Sequence, residues 1–326
     1  MTNSLPTQSP SVIVLGYNRF RETTERCLAS LAQDANFNSW EVLLVDNGSD
    51  AENRQAFVEA QARYPGIRLL HIERNAGYPG GMNAGLRNVQ GDPIYLVSSD
   101  VLIPPDTIGR LNEAFHSHPR AGLIGPVTNA AGNEQRILAE AESDLATLRQ
   151  GQAFAEAGVG NCVSAYRLDF CCVGLRRDVY AKLGGFDEKF IPGYYEDFDY
   201  SLMARKAGFE LLIAENAFVF HEGGGTFGKV SAEKKALIAR NKRYFLEKHG
   251  RNTLMPHVRD GNLAILEQYA KQAEAAMSPP VLRIGNRLKL AALDVPRSFF
   301  KRRRYLARLA ALQKRLAPYC PAEFVK

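Results

Sequence analysis

Residues 11–125 alternate between two textures, and that alternation limits the fold more than any other feature of the chain. Five short apolar runs, SVIVLG (11–16), EVLLVD (41–46), IRLLHI (67–72), PIYLVS (93–98) and AGLIGP (121–126), have the length of buried strands. Between them, stretches near 22–33, 50–64, 80–89 and 105–117 carry apolar residues at helical period. Strand, helix, strand at this spacing predicts an α/β architecture on a mostly parallel, doubly wound, Rossmann-like sheet. In such sheets ligands bind beyond the carboxyl ends of strands. Four segments are polar just there: Tyr17-Asn18-Arg19, Asp46-Asn47-Gly48-Ser49, Arg74-Asn75-Ala76-Gly77 and Ser98-Ser99-Asp100.

After a weakly patterned section at 127–165, order returns. RLDFCCVGLRRDVYAKLGGF (167–186) reads as a strand and a short helix ended by Gly184-Gly185. PGYYEDFDYSLMARKAG (192–208) opens a helix with three carboxylates, Glu196, Asp197 and Asp199, and stops it at Gly208. Tyr194, Tyr195, Phe198 and Tyr200 surround those acids. LLIAENAFVFH (211–221) is another apolar run, ending at His221 and followed by Glu222-Gly223-Gly224-Gly225, a loop flexible by composition.

Composition narrows the class. A chain of 326 residues, 45% hydrophobic and 23% charged, suits one large globular domain or one and a half. Its five cysteines (Cys27, Cys162, Cys171, Cys172, Cys320) are odd in number and form no CxxC. Reduced thiols are expected, not a disulfide framework or a zinc site. MTNSLPTQSPSVIVLGYN has neither a basic start nor a long apolar stretch, so no leader is expected. No run approaches the roughly 18 apolar residues of a membrane-spanning helix. The net charge of +6 is uneven: eleven Lys/Arg and one acid lie between Arg283 and Arg315, giving that segment +10 and the remainder −4.

Each candidate residue has a structural and a chemical explanation. NAGYPGGMNAG (75–85) either makes a tight turn with close helix packing or lets backbone approach a nucleotide sugar or a phosphate. Asp46 either starts an Asp-Asn-Gly-Ser turn or accepts a hydrogen bond from a nucleobase or ribose. Asp100 either caps and turns the chain or supplies an oxygen to Mg²⁺ or Mn²⁺ on a diphosphate. His221 is either structural or a metal ligand. Glu196, Asp197 and Asp199 all suit the positive end of a helix dipole. Their aromatic surroundings, however, would desolvate a carboxylate and raise its proton affinity, as a general base requires.

In order, VIVLGYNR, EVLLVDNGSD, NAGYPGGMNAG, YLVSSDV, GGFDEKFIPGYYEDFDYSLMARKAGF and FHEGGG resemble the successive motifs of inverting family 2 glycosyltransferases with the GT-A fold. The rhamnosyltransferase-like branch of bacterial polysaccharide assembly is resembled most. The resemblance implies a nucleotide-sugar donor, dTDP- or UDP-linked, and a hydroxyl acceptor on a glycan or lipid-linked sugar. It implies donor contacts at Tyr17, Asn18, Arg19, Asp46, Asn75, Gly81, Asn83 and Ser99. It implies a divalent metal, Mg²⁺ or Mn²⁺, at Asp100 and His221, a catalytic base at Asp197, and acceptor positioning by Glu196 and Tyr195. One departure matters: the DxD element reads Ser98-Ser99-Asp100, and serine is a poorer ligand than carboxylate for a hard cation. Two other classes remain. A sugar nucleotidyltransferase would carry a Gly-rich, basic signature where this chain has Gly16-Tyr17-Asn18-Arg19. A non-catalytic nucleotide-sugar binding protein would not need Asp197.

The expected layout is a catalytic domain over 1–250 and a helical, basic region over 251–326. SFFKRRRYLARLAALQKRL (298–316), laid on a helix, puts Phe299, Tyr305, Leu306, Leu309, Leu312 and Leu316 on one arc. Lys301, Arg303, Arg304, Arg308, Lys314 and Arg315 lie mostly opposite, and Arg302 intrudes on the apolar side. Such a helix either lies in a membrane interface, drawn by anionic lipid, or packs on its own domain. Membrane attachment fits an enzyme that builds glycans on lipid carriers, so the expected location is cytoplasmic and peripheral on the inner face of the plasma membrane. No nucleic-acid module accompanies the charge, and the sequence leaves an oligomer open.

Overall fold

A computed structural model describes residues 9–158, 162–223, 231–253, 256–275 and 281–320. Gly224 and Gly225 of the expected flexible loop, and the first eight residues, lie outside the described residues. The five apolar runs are strands: β1 (Ser11–Gly16), β2 (Glu41–Asp46), β3 (Arg68–His71), β4 (Ile94–Ser98) and β6 (Ala121–Thr128). Between them run α1 (Thr24–Leu31), α2 (Ala51–Arg63), α3 (Gly77–Leu86) and α4 (Thr107–Ser117), with a two-residue strand β5 (Val101–Leu102) before α4. The later elements are α5 (Asp144–Glu156), β7 (Cys162–Ser164), β8 (Cys172–Leu175), α6 (Arg177–Leu183), α7 (Glu196–Lys206) and β9 (Glu210–His221). Four helices close the chain: α8 (Ala232–His249), α9 (Val258–Glu274), α10 (Val281–Leu293) and α11 (Phe299–Leu316).

The strand order is β3-β2-β1-β4-β8-β6-β9-β5, with β7 on β9. The pairs β3-β2, β2-β1 and β1-β4 are parallel, as the alternation predicts. The sheet as a whole is mixed, because β8 enters antiparallel between β4 and β6. Side chains alternate across the strands and build a core on each face. Val12, Val14, Val42 and Leu44 meet Leu28, Phe57 and Leu111 from α1, α2 and α4. Ile13, Leu15, Leu43 and Val45 meet Met82 and Leu86 of α3. Gly81 lets α3 approach, since a Cβ there would lie 2.6 Å from Leu15 Cδ1.

The weakly patterned section contains α5. Ser143 caps it by accepting from Ala146 N, and its buried residues are only Thr147, Gly151, Phe154 and Ala155. Small and polar positions face inward, so no apolar stripe shows in the sequence.

The C-terminal helices join the same core as β1 and β2, through Leu263 and Leu266 of α9, Ile284 and Leu288 of α10, and Leu309 and Leu312 of α11. The membrane-interface expectation for the apolar arc of 298–316 needs correction here. Tyr305, Leu309, Leu312 and Leu316 are buried, and only Phe299 and Leu306 of the arc face outward. Nor is all the basic charge solvated. Arg283 and Arg287 are fully buried. Arg283 donates to Phe154 O and Ala155 O, satisfying carbonyls at the end of α5. Arg287 Nη2 pairs with Glu215 Oε1 at 2.8 Å. No helix among the described residues is long and apolar enough to cross a membrane.

Candidate active site

The carboxyl ends of β1, β2 and β4 converge as expected. Asn18 N donates to Ser49 Oγ, Asp50 N to Asn18 Oδ1, and Ser99 N to Leu15 O. Beside them opens a cleft of about 520 Å³. The sheet edge lends it Ser98, Asp100 and His221; α7 and the loop before it lend Tyr194, Glu196 and Asp197.

On the sheet side, β5 pairs antiparallel with the end of β9, and Val101 lies opposite His221. That register sets Asp100 beside the imidazole, with Oδ2 3.4 Å from Nε2. Nδ1 of His221 donates to Ala130 O at 2.9 Å, which turns Nε2 toward Asp100. Burial alone would raise the Asp100 carboxyl, but the hydrogen bond and charge of His221 hold it below the ordinary range. Burial alone would lower His221; Cys171 and Asp100 outweigh it and raise the imidazole to about 12. The two donors also have space beside them. A Cβ at Gly223 would come within 2.3 Å of Asp100 Oδ2 and 2.9 Å of His221 Nε2.

On the helix side, Glu196 and Asp197 occupy the first turn of α7. Asp197 Oδ1 accepts from Phe198 N at 2.8 Å, and Oδ2 lies 3.2 Å from Arg167 Nη1. Burial pushes Asp197 up to about 6, with Arg167 opposing the rise and Asp169 adding to it. Burial, reinforced by Asp197 and Asp169, raises Glu196 well above the usual carboxylate range. Its Oε2 is buried without a hydrogen-bond partner among the described residues. Burial thus favours the protonated form of Glu196, beside an Asp197 carboxyl whose proton affinity is lifted toward neutral pH.

Several expected site residues are placed differently. Tyr194 and Tyr195 are both left-handed, with φ of 70° and 78°. The twist stacks Tyr195 on Phe198 at 4.7 Å, away from the cleft, and leaves Tyr194 at the rim, 41% exposed. Ser98, not Ser99, lines the cleft. Asn83 is buried and spends its amide on Phe186 N, Phe186 O and Glu188 Oε1, so it seats the segment before α7. Gly81 serves helix packing, as above. Asp46 is fully buried, bonded to Ser49 N and His71 Nδ1 at 2.9 Å each, so its carboxylate is spent within the fold. Asn75 accepts from Gly77 N at the start of α3. Tyr17, 47% exposed, and Arg19 remain at the surface of the sheet edge. Asp199, in the same acidic cluster, is buried and binds Lys248 at 2.9 Å and His249 at 2.6 Å, tying α7 to α8.

Three charged residues went unsignalled in the sequence: Asp169 and Lys234 of α8, which line the cleft, and Arg167, which pairs with Asp197. Lys234 Nζ sits 5.2 Å over the Tyr194 ring. Among the described residues the five cysteines form no disulfide with one another.

The family model for Glycosyl transferase family 2 matches residues 11–184. An N-acetylglucosaminyl-diphospho-decaprenol L-rhamnosyltransferase of Mycobacterium tuberculosis is 30% identical, over 68% of this chain and 79% of its own length. An N-acetylglucosaminyltransferase of Mesorhizobium japonicum is 27% identical, over 63% of this chain and 49% of its own length. Among solved structures, a mannosyltransferase of Pyrobaculum calidifontis in complex with GDP-Man and Mn²⁺ superposes with a TM-score of 0.55 at 16% identity, covering 97% of this chain and 77% of that one. The fold is therefore GT-A, and the chain belongs to glycosyl transferase family 2.

Proposed function

We propose that this glycosyltransferase moves a sugar, rhamnose first among the candidates, from a dTDP- or UDP-linked donor to a hydroxyl of a glycan or lipid-linked acceptor, with inversion. The setting is assembly of bacterial cell-surface polysaccharide of the O-antigen type, at the inner face of the plasma membrane. The observation that carries the reading is that the Asp197 carboxylate and the Asp100–His221 pair line one cleft. The rhamnosyltransferase relative, named for a lipid-diphosphate substrate, supports the donor and acceptor classes.

Asp197, with its proton affinity lifted by burial, takes the proton of the acceptor hydroxyl as that oxygen attacks the anomeric carbon. Glu196, whose buried Oε2 has no hydrogen-bond partner among the described residues, orients the acceptor. Attack opposite the leaving diphosphate inverts the anomeric centre. Asp100, and His221 once a cation displaces the proton on its Nε2, would hold a divalent cation, Mg²⁺ or Mn²⁺: one oxygen and one nitrogen 3.4 Å apart, with open space kept by Gly223. Such ions are commonly held by one or two carboxylates plus substrate phosphates, and the cation would offset charge on the departing diphosphate. Tyr17, Asn18, Arg19 and Asn75, at the sheet edge beside the cleft, would meet the nucleoside.

The test is release of nucleoside diphosphate from a panel of nucleotide sugars, with and without a GlcNAc-diphospholipid acceptor, resolving the anomeric configuration of the product. Acceptor-dependent release with an inverted product is expected. A retained configuration, or release of inorganic pyrophosphate, would overturn the reading.

A further inference from the structure

Tyr305, Leu309, Leu312 and Leu316 of the apolar arc of α11 are covered by its own fold, but Phe299 is not, and the helix has a second face. Phe299 and Phe300 at its start are 71% and 82% exposed, and Leu293, at the end of α10, is 73% exposed. The two rings pack edge to face, 5.5 Å apart. Phe300, Arg303, Arg304 and Ala307 continue along one outward side at the i, i+3, i+4, i+7 spacing, and all are exposed. Soluble chains seldom leave three large apolar side chains this bare within a few residues.

The charge beside them is equally uncompensated. Among the described residues, Arg297 and Lys301 to Arg304 make no ion pair, whereas Arg315, further along the helix, pairs with Glu267 and Glu274. The one acid of the turn, Asp294, is already held by Arg259 at 3.2 Å and His257 at 3.7 Å. Bare aromatics ringed by free cations match a surface with anionic groups above an apolar layer. Guanidinium groups would sit among the headgroups and the phenyl rings below them.

We propose that the turn between α10 and α11, with the outward face of the first two turns of α11, docks on an anionic lipid bilayer and holds the enzyme where a membrane-borne acceptor is presented. The inference deepens the proposed function, since it rests on the acceptor being carried in a membrane, but the contact itself needs no catalysis.

Co-sedimentation with phosphatidylcholine vesicles, with and without phosphatidylglycerol, separates the possibilities. The full chain should bind the anionic vesicles and release them at high salt. Each cation near the surface is worth about five-fold in partitioning, so Arg303→Glu with Arg304→Glu should weaken binding at least ~25-fold. Phe299→Ser with Phe300→Ser should weaken it without altering the circular dichroism spectrum. Both double variants should keep wild-type turnover of a short-chain soluble acceptor and lose turnover of the same acceptor embedded in vesicles. Equal binding to neutral vesicles, or unchanged binding of both variants, would overturn the proposal. So would a wild-type dimer in sedimentation velocity that the phenylalanine variant dissolves, which would make the patch a self-association face. If no sugar is transferred at all yet anionic vesicles still bind through these residues, the functional reading fails and the docking surface stands.

Discussion

Nη1 of Arg167 lies 3.2 Å from Oδ2 of Asp197, while Nη2 of the same guanidinium donates to the Gly132 carbonyl. The arginine also lies 3.9 Å over the Phe198 ring. One side chain thus joins the helix carrying the proposed base to the loop whose Ala130 carbonyl orients His221. The groups that set Asp197's proton affinity are burial, Arg167 and Asp169. Since the base acts only when ionised, kcat/KM should fall as pH drops through about 6. An opposite charge at this range lowers a carboxyl by ~1–3 units, so Arg167→Met should move that acid limb to higher pH by about 1 unit or more. Arg167→Lys should move it less. A pH–rate profile for the three proteins decides the matter, and an unmoved limb in Arg167→Met would reduce Arg167 to a structural role.

The same burial has a cost in stability. Asp197 is raised from 3.8 to about 6, so the fold favours its protonated form. Stability is complete below the unfolded value and is lost as pH climbs between the two. Asp197→Asn removes the liability and should stabilise the fold by ~3 kcal/mol above pH 6, with the gap closing toward pH 4. Thermal unfolding of both proteins across that range checks the sign. A variant less stable at high pH would contradict it.

Glu215, on β9, accepts from Tyr269 of α9 and pairs with Arg287 of α10 in a fully buried network. Removing one partner strands a buried charge, a loss of about 3–5 kcal/mol, whereas replacing both with apolar groups of similar volume is far better tolerated. Arg287→Met alone should therefore lower the urea midpoint sharply, and Glu215→Leu with Arg287→Met should recover most of it. Equal losses in the single and double variants would show that the pair is not coupled.

At the sheet edge, Ser98 stands in the cleft where a second acid would complete the metal element. Ser98→Asp supplies another hard oxygen and should tighten Mn²⁺ binding roughly tenfold. Asp100→Asn should abolish the extra thermal stabilisation that UDP or dTDP gains from Mn²⁺, read as the increment over the variant's own metal-free melting point. If Asp100→Asn leaves the metal-dependent increment intact, the ion is held elsewhere.

How much of this could be read in advance depended on the range of each contact. β1 and β2 were legible to the residue because an apolar run between polar ends is a local signal. Asp100 and His221 each follow or end an apolar strand at the sheet's carboxyl edge, whereas Asp197, in the first turn of α7, was joined to them only through the resemblance to the family. Arg167 could not be: its contact with Asp197 arises from folding across the chain, and YRLDF carries no mark of it. The rotation that exchanges Tyr194 for Tyr195 follows from two left-handed residues, and backbone dihedrals at non-glycine positions leave no trace in composition. Gly81 and Asn83 misled because glycine-rich sequence serves close helix packing as readily as phosphate approach. In α11 the periodicity showed an apolar face, but what covers a face is a property of α9 and α10.

The most direct test of the central claim is turnover of Asp197→Asn, measured as acceptor-dependent release of nucleoside diphosphate, alongside donor affinity by calorimetry. Loss of a general base should slow turnover roughly 100- to 10,000-fold while donor binding stays at the wild-type level. Turnover within a few-fold of wild type, with the donor bound equally well, would remove Asp197 from the chemistry and with it the mechanism proposed for this cleft.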